Sequence, residues 1–291
     1  MTNSIGIHQL VWTGESDAVS LNTAMSSASS LGYDLFELSL HDLDSLDLEE
    51  TRRAADDHHL QLVCSRGLAF DADISSDDVT VVNRGEELLR RSLLATSNIG
   101  AEILTGPLYS ALGKYTSAPS ESGRRNATSV LRDLCAEAEG LGVRLGLEIC
   151  NRYETNVANT CDEGLRLLDD IGSDRAFIHL DTYHMNIEED DFRKAIRLAG
   201  TRLGYLHIGE NHRGYLGSGH IDFPGMFESL VEIGYTGPIT FESFSSAVIS
   251  EGLSVDLAIW RNLWDDGPDL AGKAITFIRE SLAAAERGDV A

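Results

Sequence analysis

Four apolar segments of the chain end on a side chain that can bind a metal ion or transfer a proton. The four residues are Glu148, Asp181, His207 and Glu242, and small or apolar residues alternate before them. Three carboxylates and one imidazole form a hard, oxygen-rich ligand set. Such a set suits Mn²⁺ or Co²⁺, with Mg²⁺ as a further candidate, better than structural zinc, which favours thiolates. The sequence therefore predicts one divalent metal site built from these four residues.

Short apolar strands alternate with longer amphipathic segments along the whole chain of 291 residues. The predicted strands are 5–12, 34–38, 61–65, 102–105, 143–148, 177–181, 203–208 and 238–244. The predicted helices are 17–30, 48–59, 77–97, 123–141, 160–171, 191–199, 223–233 and 270–286. Eight β–α units in strict alternation predict an α/β fold, a (β/α)8 TIM barrel, as one domain over residues 1–291. An open doubly wound sheet is the alternative, but the first strand lacks the glycine-rich turn of that fold.

Side-chain alternation places the four residues on one side of the predicted barrel wall. If Glu148 points into the barrel, Gly146 does so too, while Leu145 and Leu147 face the helices. The same parity holds for the strands that end at Asp181 and Glu242. Barrel enzymes carry their chemistry at the carboxyl ends of the strands, which is where these polar residues fall.

The two glutamates end strands five and eight, which are three steps apart around a ring of eight. Glu148 and Glu242 are therefore expected to face each other across the mouth of the barrel. Two carboxylates on opposite sides of a substrate can remove a proton from one face of a carbon and return one to the other face. This arrangement indicates epimerisation.

Segments 148–154, 181–189, 207–210 and 241–242 closely resemble the ketose 3-epimerases that act on D-tagatose, D-allulose (psicose) or L-ribulose. This group belongs to the xylose-isomerase-like barrels, and the resemblance covers nearly the whole chain. Its most specific part is the run DTYHMNIEE at 181–189. The resemblance implies that Glu148 and Glu242 are both metal ligands and the acid/base pair. It implies that Asp181 and His207 complete the ligand set.

The resemblance also implies substrate contacts. Glu154, His184 and Arg213 match positions with which the family holds the carbonyl end of the sugar. The loop 211–219 departs from the family's pattern, which leaves the lid and the substrate preference open. The other candidate contacts, which follow or end strands one, three and four, are Trp12, Cys64 and Gly106. For the tryptophan and the cysteine, packing in the core is an open alternative.

The implied reaction is metal-dependent epimerisation at C3 of free ketoses, by two-base proton transfer through a cis-enediolate, with no organic cofactor. Substrate pairs of this kind are D-fructose and D-allulose, D-tagatose and D-sorbose, or L-ribulose and L-xylulose. Alternatives on the same barrel are a hydroxypyruvate isomerase, an inosose dehydratase, a sugar-phosphate 3-epimerase and a metal-dependent DNA-repair endonuclease. A non-catalytic sugar-binding regulator would lack one of the two glutamates.

The composition limits the classes of molecule that the protein is expected to bind. The net charge of −24 argues against nucleic acid, which needs clustered Lys and Arg. Four cysteines without a CxxC pair, no signal peptide and no membrane span indicate a cytoplasmic protein with reduced thiols. The resemblance implies a homodimer or homotetramer, and Trp260 and Trp264, predicted on a short helix, are candidates for an interface.

Overall fold

Each strand in the described part of the chain, residues 3–289, is parallel to its two neighbours, and the last strand pairs with the first. This computed structural model thus confirms the predicted eight-stranded barrel as the fold class. The strands run around the barrel in chain order. They are β1 (Ile5–His8), β2 (Leu35–Ser39), β3 (Gln61–Ser65), β4 (Ile103–Gly106), β5 (Arg144–Glu148), β6 (Ala176–Asp181), β7 (Leu203–Ile208) and β8 (Ile239–Phe241).

Helices follow the strands and surround the barrel. They are α1 (Ala18–Leu31), α2 (Leu48–Asp57), α3 (Val79–Asn98), α4 (Glu121–Leu141), α5 (Cys161–Ile171), α6 (Thr182–Glu188), α7 (Phe192–Ala199), α8 (Phe223–Glu232), α9 (Glu251–Asp256) and α10 (Gly267–Arg287). Side chains of Asp17, Asp47 and Asp78 accept hydrogen bonds from the first free N–H groups of α1, α2 and α3. Such caps mark the helix starts in the sequence, so the predicted helix ends lie within three residues of those in the structure.

Three local predictions were wrong. The first strand was expected to reach residue 12, but β1 ends at His8, whose Nδ1 accepts a hydrogen bond from Leu10 N at 3.1 Å and caps a 3₁₀ helix. The last strand was expected over 238–244, but β8 ends at Phe241. Trp260 and Trp264 lie in irregular chain between α9 and α10, not on a helix. Apolar residues continue past the end of β1 and of α9, and Phe244 lies beyond the end of β8, so the residue pattern alone misplaced these boundaries.

Apolar side chains fill the half of the barrel interior that is nearer the amino ends of the strands. Leu35, Val63, Phe177 and Tyr205 form a buried cluster there, separate from the larger core between strands and helices. Phe177 lies so close to the backbone of β5 and β7 that a Cβ at Gly146 or Gly204 would collide with its ring. These side chains pack the interior near the amino ends of the strands, whereas the predicted ligand residues lie at the carboxyl ends.

The thiols are sequestered. Cys64, Cys135, Cys150 and Cys161 are all buried and free of disulfides. Burial raises the pKa of Cys64 and of Cys161 to about 12, which keeps them protonated and unreactive at neutral pH. Within residues 3–289, every helix is too short or too polar to cross a membrane.

Candidate active site

The ends of four consecutive strands bring the predicted ligands together. Glu148 and Asp181 are the last residues of β5 and β6, His207 is the next-to-last residue of β7, and Glu242 directly follows β8. Strand register aligns Asp181 with His207. One ligand atom from each of the four residues lies within 4.8 Å of those of the other three, and all four side chains are buried. The parallel strands therefore converge on one oxygen-rich cluster.

The two carboxylate oxygens of Asp181 have different partners. Oδ1 accepts a hydrogen bond from Tyr183 N at 2.8 Å and so caps α6, which starts at the next residue. Oδ2 faces the cluster and lies 2.9 Å from Nη2 of Arg213. Burial raises the pKa of Asp181 to about 6, with Arg213 acting in the opposite direction. The cap thus fixes the carboxylate while one oxygen stays directed at the cluster.

His207 directs one ring nitrogen without a hydrogen-bond partner at the same cluster. Its Nε2 lies 2.6 Å from Oε2 of Glu37, a carboxylate that can only accept a hydrogen bond when ionised. Its Nδ1 lies 3.4 Å from Glu242 Oε2 and 3.5 Å from Glu148 Oε1, without hydrogen-bond geometry to either. Burial lowers the pKa of His207, but the surrounding carboxylates outweigh it and hold that pKa well above the ordinary value.

The two glutamates are kept ionised by their neighbours. Burial raises the pKa of Glu148 and of Glu242, but nearby imidazoles lower both more strongly. For Glu242, the guanidinium of Arg213, 2.8 Å away, lowers the pKa further. Both pKa values consequently lie below the ordinary value, and both side chains are available as bases.

His184 and His207 use opposite ring nitrogens for their hydrogen bonds to the protein. Its Nδ1 accepts from the backbone N–H of Asn151 at 3.3 Å and from Nδ2 of the same residue at 2.8 Å. Nε2 lies 3.6 Å from Glu148 and 3.8 Å from Glu154, and it carries a proton in this neutral tautomer and in the charged ring alike. Burial lowers the pKa of His184, but Glu154, Glu148 and Asp181 raise it to about 9. His184 is thus suited to donate a hydrogen bond from Nε2.

The buried carboxylate of Glu210 organises the loop between β7 and α8, and this loop carries Arg213. Glu210 accepts hydrogen bonds from Asn211 N at 3.0 Å and from Gly217 N at 2.9 Å, which draws the loop around it. Arg213 adopts a left-handed backbone conformation (φ 59°), and its guanidinium lies 4.2 Å from the ring centre of Tyr183. The loop therefore holds the guanidinium between Asp181 and Glu242.

A cavity of about 750 Å³ opens above the cluster. Glu148, Glu154, His184, Arg213 and Glu242 all line it. Its outer part is lined by apolar residues of the segment that connects β8 with α10, among them Leu257, Ile259, Trp260 and Leu263. The volume is ample for a monosaccharide, and the polar groups are concentrated at one end.

The cluster fits a divalent cation by its own chemistry. Asp181 Oδ2 and His207 Nδ1 are buried without a hydrogen-bond partner, although the former has its ion-pair contact with Arg213. Nδ1 of His207 faces two carboxylates, an arrangement that favours a positive charge between them, either a proton on the ring or a bound cation. Three carboxylates and one imidazole form the donor set preferred by Mn²⁺, Co²⁺ or Mg²⁺.

Comparison with known proteins identifies the group. A family model described as the xylose isomerase-like TIM barrel matches residues 25–281. An L-ribulose 3-epimerase of Methylomonas sp. (strain DH-1) is 45% identical over 94% of this chain and 96% of the relative. A ketose 3-epimerase of Arthrobacter globiformis is 44% identical over 96% of this chain and 97% of its own length. The chain belongs to the ketose 3-epimerases of this barrel family.

A solved structure supports the same assignment. The D-allulose 3-epimerase from Methylomonas sp., crystallised in complex with D-allulose, superimposes with a TM-score of 0.94 at 44% identity and covers 96% of this chain and 97% of that one. This ketose 3-epimerase family member is therefore an enzyme of the isomerase class. The resemblance inferred from the residues is confirmed.

Three predicted substrate contacts are not among the residues that line the cavity. Trp12 packs against the main core, and Cys64 belongs to the same core, in contact with Thr96 of α3. Gly106 has a φ of 118°, and its backbone passes against the carbonyl of Arg66. None of the three is among the described residues that line the cavity, so their contact with substrate remains a prediction.

Two residues of the site were missed by the sequence analysis. Glu37 of β2 is fully buried below His207, and His8 of β1 lies 3.5 Å from Glu37 and 4.0 Å from Glu242. Burial raises the pKa of Glu37, but His207 and His8 outweigh it and hold that pKa below the ordinary value. The sequence signal for Glu37 was a charged residue at an inward-facing position of a strand that is otherwise mostly apolar.

Proposed function

We propose that this enzyme epimerises free ketoses at C3 and that it does so with one divalent cation held by Glu148, Asp181, His207 and Glu242. The observation that carries this proposal is the pair of ionised glutamates at the polar end of the cavity, one from β5 and one from β8. The relatives' activities on L-ribulose and D-allulose support it. L-Ribulose, D-allulose and D-tagatose are therefore the first substrates to assay.

The proton transfer is assigned to the two glutamates. One carboxylate removes the C3 proton from its face, and the other returns a proton to the opposite face. A divalent cation in this site would polarise the ketose carbonyl and make the C3 hydrogen more acidic. Arg213 orients Glu242, and His184 donates from Nε2 to an oxygen at the carbonyl end of the sugar. Glu154, hydrogen-bonded to Asn151 at 2.8 Å, accepts from a sugar hydroxyl.

Cation removal tests this proposal. After dialysis against a chelator, activity on L-ribulose and D-allulose is expected to fall by at least about 100-fold, because the cation contributes several kcal/mol to the barrier. Addition of Mn²⁺ or Co²⁺ should restore it, and Mg²⁺ is compared in the same assay. Undiminished activity in protein shown by elemental analysis to be free of metal would contradict the proposal.

Self-association is the second expectation. Trp260 is 74% exposed at the cavity mouth, whereas Trp264 is buried and donates a hydrogen bond to Ser243, so only the former is available to an interface. We expect a homodimer or homotetramer in sedimentation velocity at micromolar concentration, and a shift toward monomer in Trp260→Glu. A monomer in the wild-type protein would contradict the expectation.

We propose a cytoplasmic location from the state of the thiols. Four buried cysteines without disulfides are typical of a reducing environment, which supports the expected cytoplasmic location.

A further inference from the structure

The carboxylate of Glu37 lies directly beneath the ligand cluster. Glu37 is on β2, on the opposite side of the barrel from β5 and β6, and its side chain has no exposed surface. The side chain of Glu37 points into the barrel, as does that of Leu35, which belongs to the buried apolar cluster. The Glu37 carboxylate therefore lies between that cluster and the ligand residues. A charge at this depth is retained only with specific partners.

Glu37 Oε2 accepts two hydrogen bonds from β7. His207 Nε2 lies 2.6 Å away and Tyr205 Oη 2.8 Å away. Tyr205 Oη also lies 2.6 Å from Thr240 Oγ1; because the ionised carboxylate can only accept, the tyrosine donates to Glu37 and the threonine donates to the tyrosine. The direction of each hydrogen bond in this chain is therefore determined.

The direction of the His207 bond decides which nitrogen faces the cluster. With Nε2–H committed to Glu37, only Nδ1 is available as a ligand, and it lies within 4.0 Å of an oxygen of each of the three cluster carboxylates. Without an acceptor at Glu37, the ring would be free to rotate or to change tautomer.

The other oxygen of Glu37 faces His8. Oε1 has no hydrogen bond, and His8 Nε2 lies 3.5 Å from it. His8 Nδ1 is occupied by Leu10 N, so the proton of the neutral ring is on Nε2. His8 Nε2 has its hydrogen-bond partner in Ser65 Oγ, 3.3 Å away, so its contact with Oε1 of Glu37 is electrostatic. Through these contacts Glu37 connects β1, β2 and β7.

We infer that Glu37 is a positioning residue of the cation site: it fixes the tautomer and the ring orientation of His207 and thereby sets the affinity of the site for a divalent cation. The inference rests on the proposed function, since it takes the cluster to bind such a cation. Carboxylate partners of metal-binding histidines act in this way in other proteins, where their loss lowers metal affinity by about 10- to 100-fold.

The test measures cation binding directly. Mn²⁺ is titrated into metal-free protein, and the free ion is quantified by electron paramagnetic resonance. Glu37→Gln, which keeps the shape but weakens the acceptor, is expected to lower the affinity about 10-fold, and Glu37→Leu, which removes the acceptor, up to about 100-fold. Visible absorption of bound Co²⁺ should change in the leucine variant, because the ligand set around the ion changes.

Tyr205→Phe is the matched control. It removes the other donor to the same oxygen but leaves the Glu37–His207 contact, so affinity within about twofold of wild type and an unchanged Co²⁺ spectrum are expected. Circular dichroism confirms folding, and if the leucine variant does not fold, the glutamine variant decides. Wild-type affinity in both Glu37 variants, or an equal loss in Tyr205→Phe, overturns the inference alone. Absence of Mn²⁺ binding by wild-type protein overturns the proposed function as well.

Discussion

Replacing either Glu148 or Glu242 by Gln is expected to stop net epimerisation of every ketose that the wild-type enzyme accepts. The substitution keeps the size and an oxygen ligand but removes the base, which is worth about 10²- to 10⁴-fold in rate. In the proposed mechanism each glutamate serves one face of C3, so neither is expected to complete the inversion alone. Manganese binding, followed by electron paramagnetic resonance, checks that the cluster still forms in each variant.

One partial reaction should survive in each variant. The remaining glutamate can still exchange the C3 hydrogen with solvent on its own face without inverting the carbon. Deuterium uptake at C3, followed by NMR in D₂O, should thus occur for one epimer with Glu148→Gln and for the other with Glu242→Gln. Near-wild-type epimerisation by both variants would contradict the assigned site. Loss in only one variant would show that a single carboxylate serves both faces.

Replacing Arg213 by Met is expected to lower the free energy of unfolding of the metal-free enzyme by about 3–5 kcal/mol at pH 8. The guanidinium lies 2.9 Å from Asp181 and 2.8 Å from Glu242, and both carboxylates are buried. Its removal leaves two adjacent negative charges without this compensation. Mn²⁺ should restore part of the loss, because a cation neutralises the same carboxylates and binds only the folded state. Denaturant unfolding with and without Mn²⁺ measures both effects.

Arg193→Met is the matched control for this substitution. Arg193 also contacts two carboxylates, Asp222 and Glu228, each at 3.1 Å, but all three side chains are exposed. Exposed ion pairs contribute little to stability, so unfolding should hardly change and Mn²⁺ should have the same effect as on wild type. Equal destabilisation by the two substitutions, or no recovery of Arg213→Met with Mn²⁺, would contradict this account of Arg213.

The barrel and the ligand cluster could be predicted from the sequence because both depend on short-range patterns. Strand parity and the position of Glu148 or Asp181 at a strand end are local features, and a parallel barrel brings such ends together. Glu37 could not be assigned in this way. Its partners Tyr205 and His207 are 168 and 170 residues away, and only the closed barrel brings them within hydrogen-bond distance.

The position of Arg213 shows the same limit. The guanidinium depends on a left-handed backbone conformation and on a loop drawn around the buried Glu210. Arg213 is not a glycine, and no turn motif in segment 211–219 signals this conformation. The resemblance to the ketose 3-epimerases supplied the residue, whereas its two carboxylate contacts required the three-dimensional structure.

Closure of the barrel between β8 and β1 has a consequence for synthesis of the chain. The four cluster residues come from the second half of the barrel, and the last of them, Glu242, directly follows the strand that completes the ring. A nascent chain on the ribosome therefore lacks the full cluster until residue 242 has emerged, although Glu37 and His8 were made much earlier. Under the proposed function, loading of a cation by the complete cluster would thus be a late event in biogenesis, because an arrested or truncated chain that ends before β8 lacks one of the four ligands.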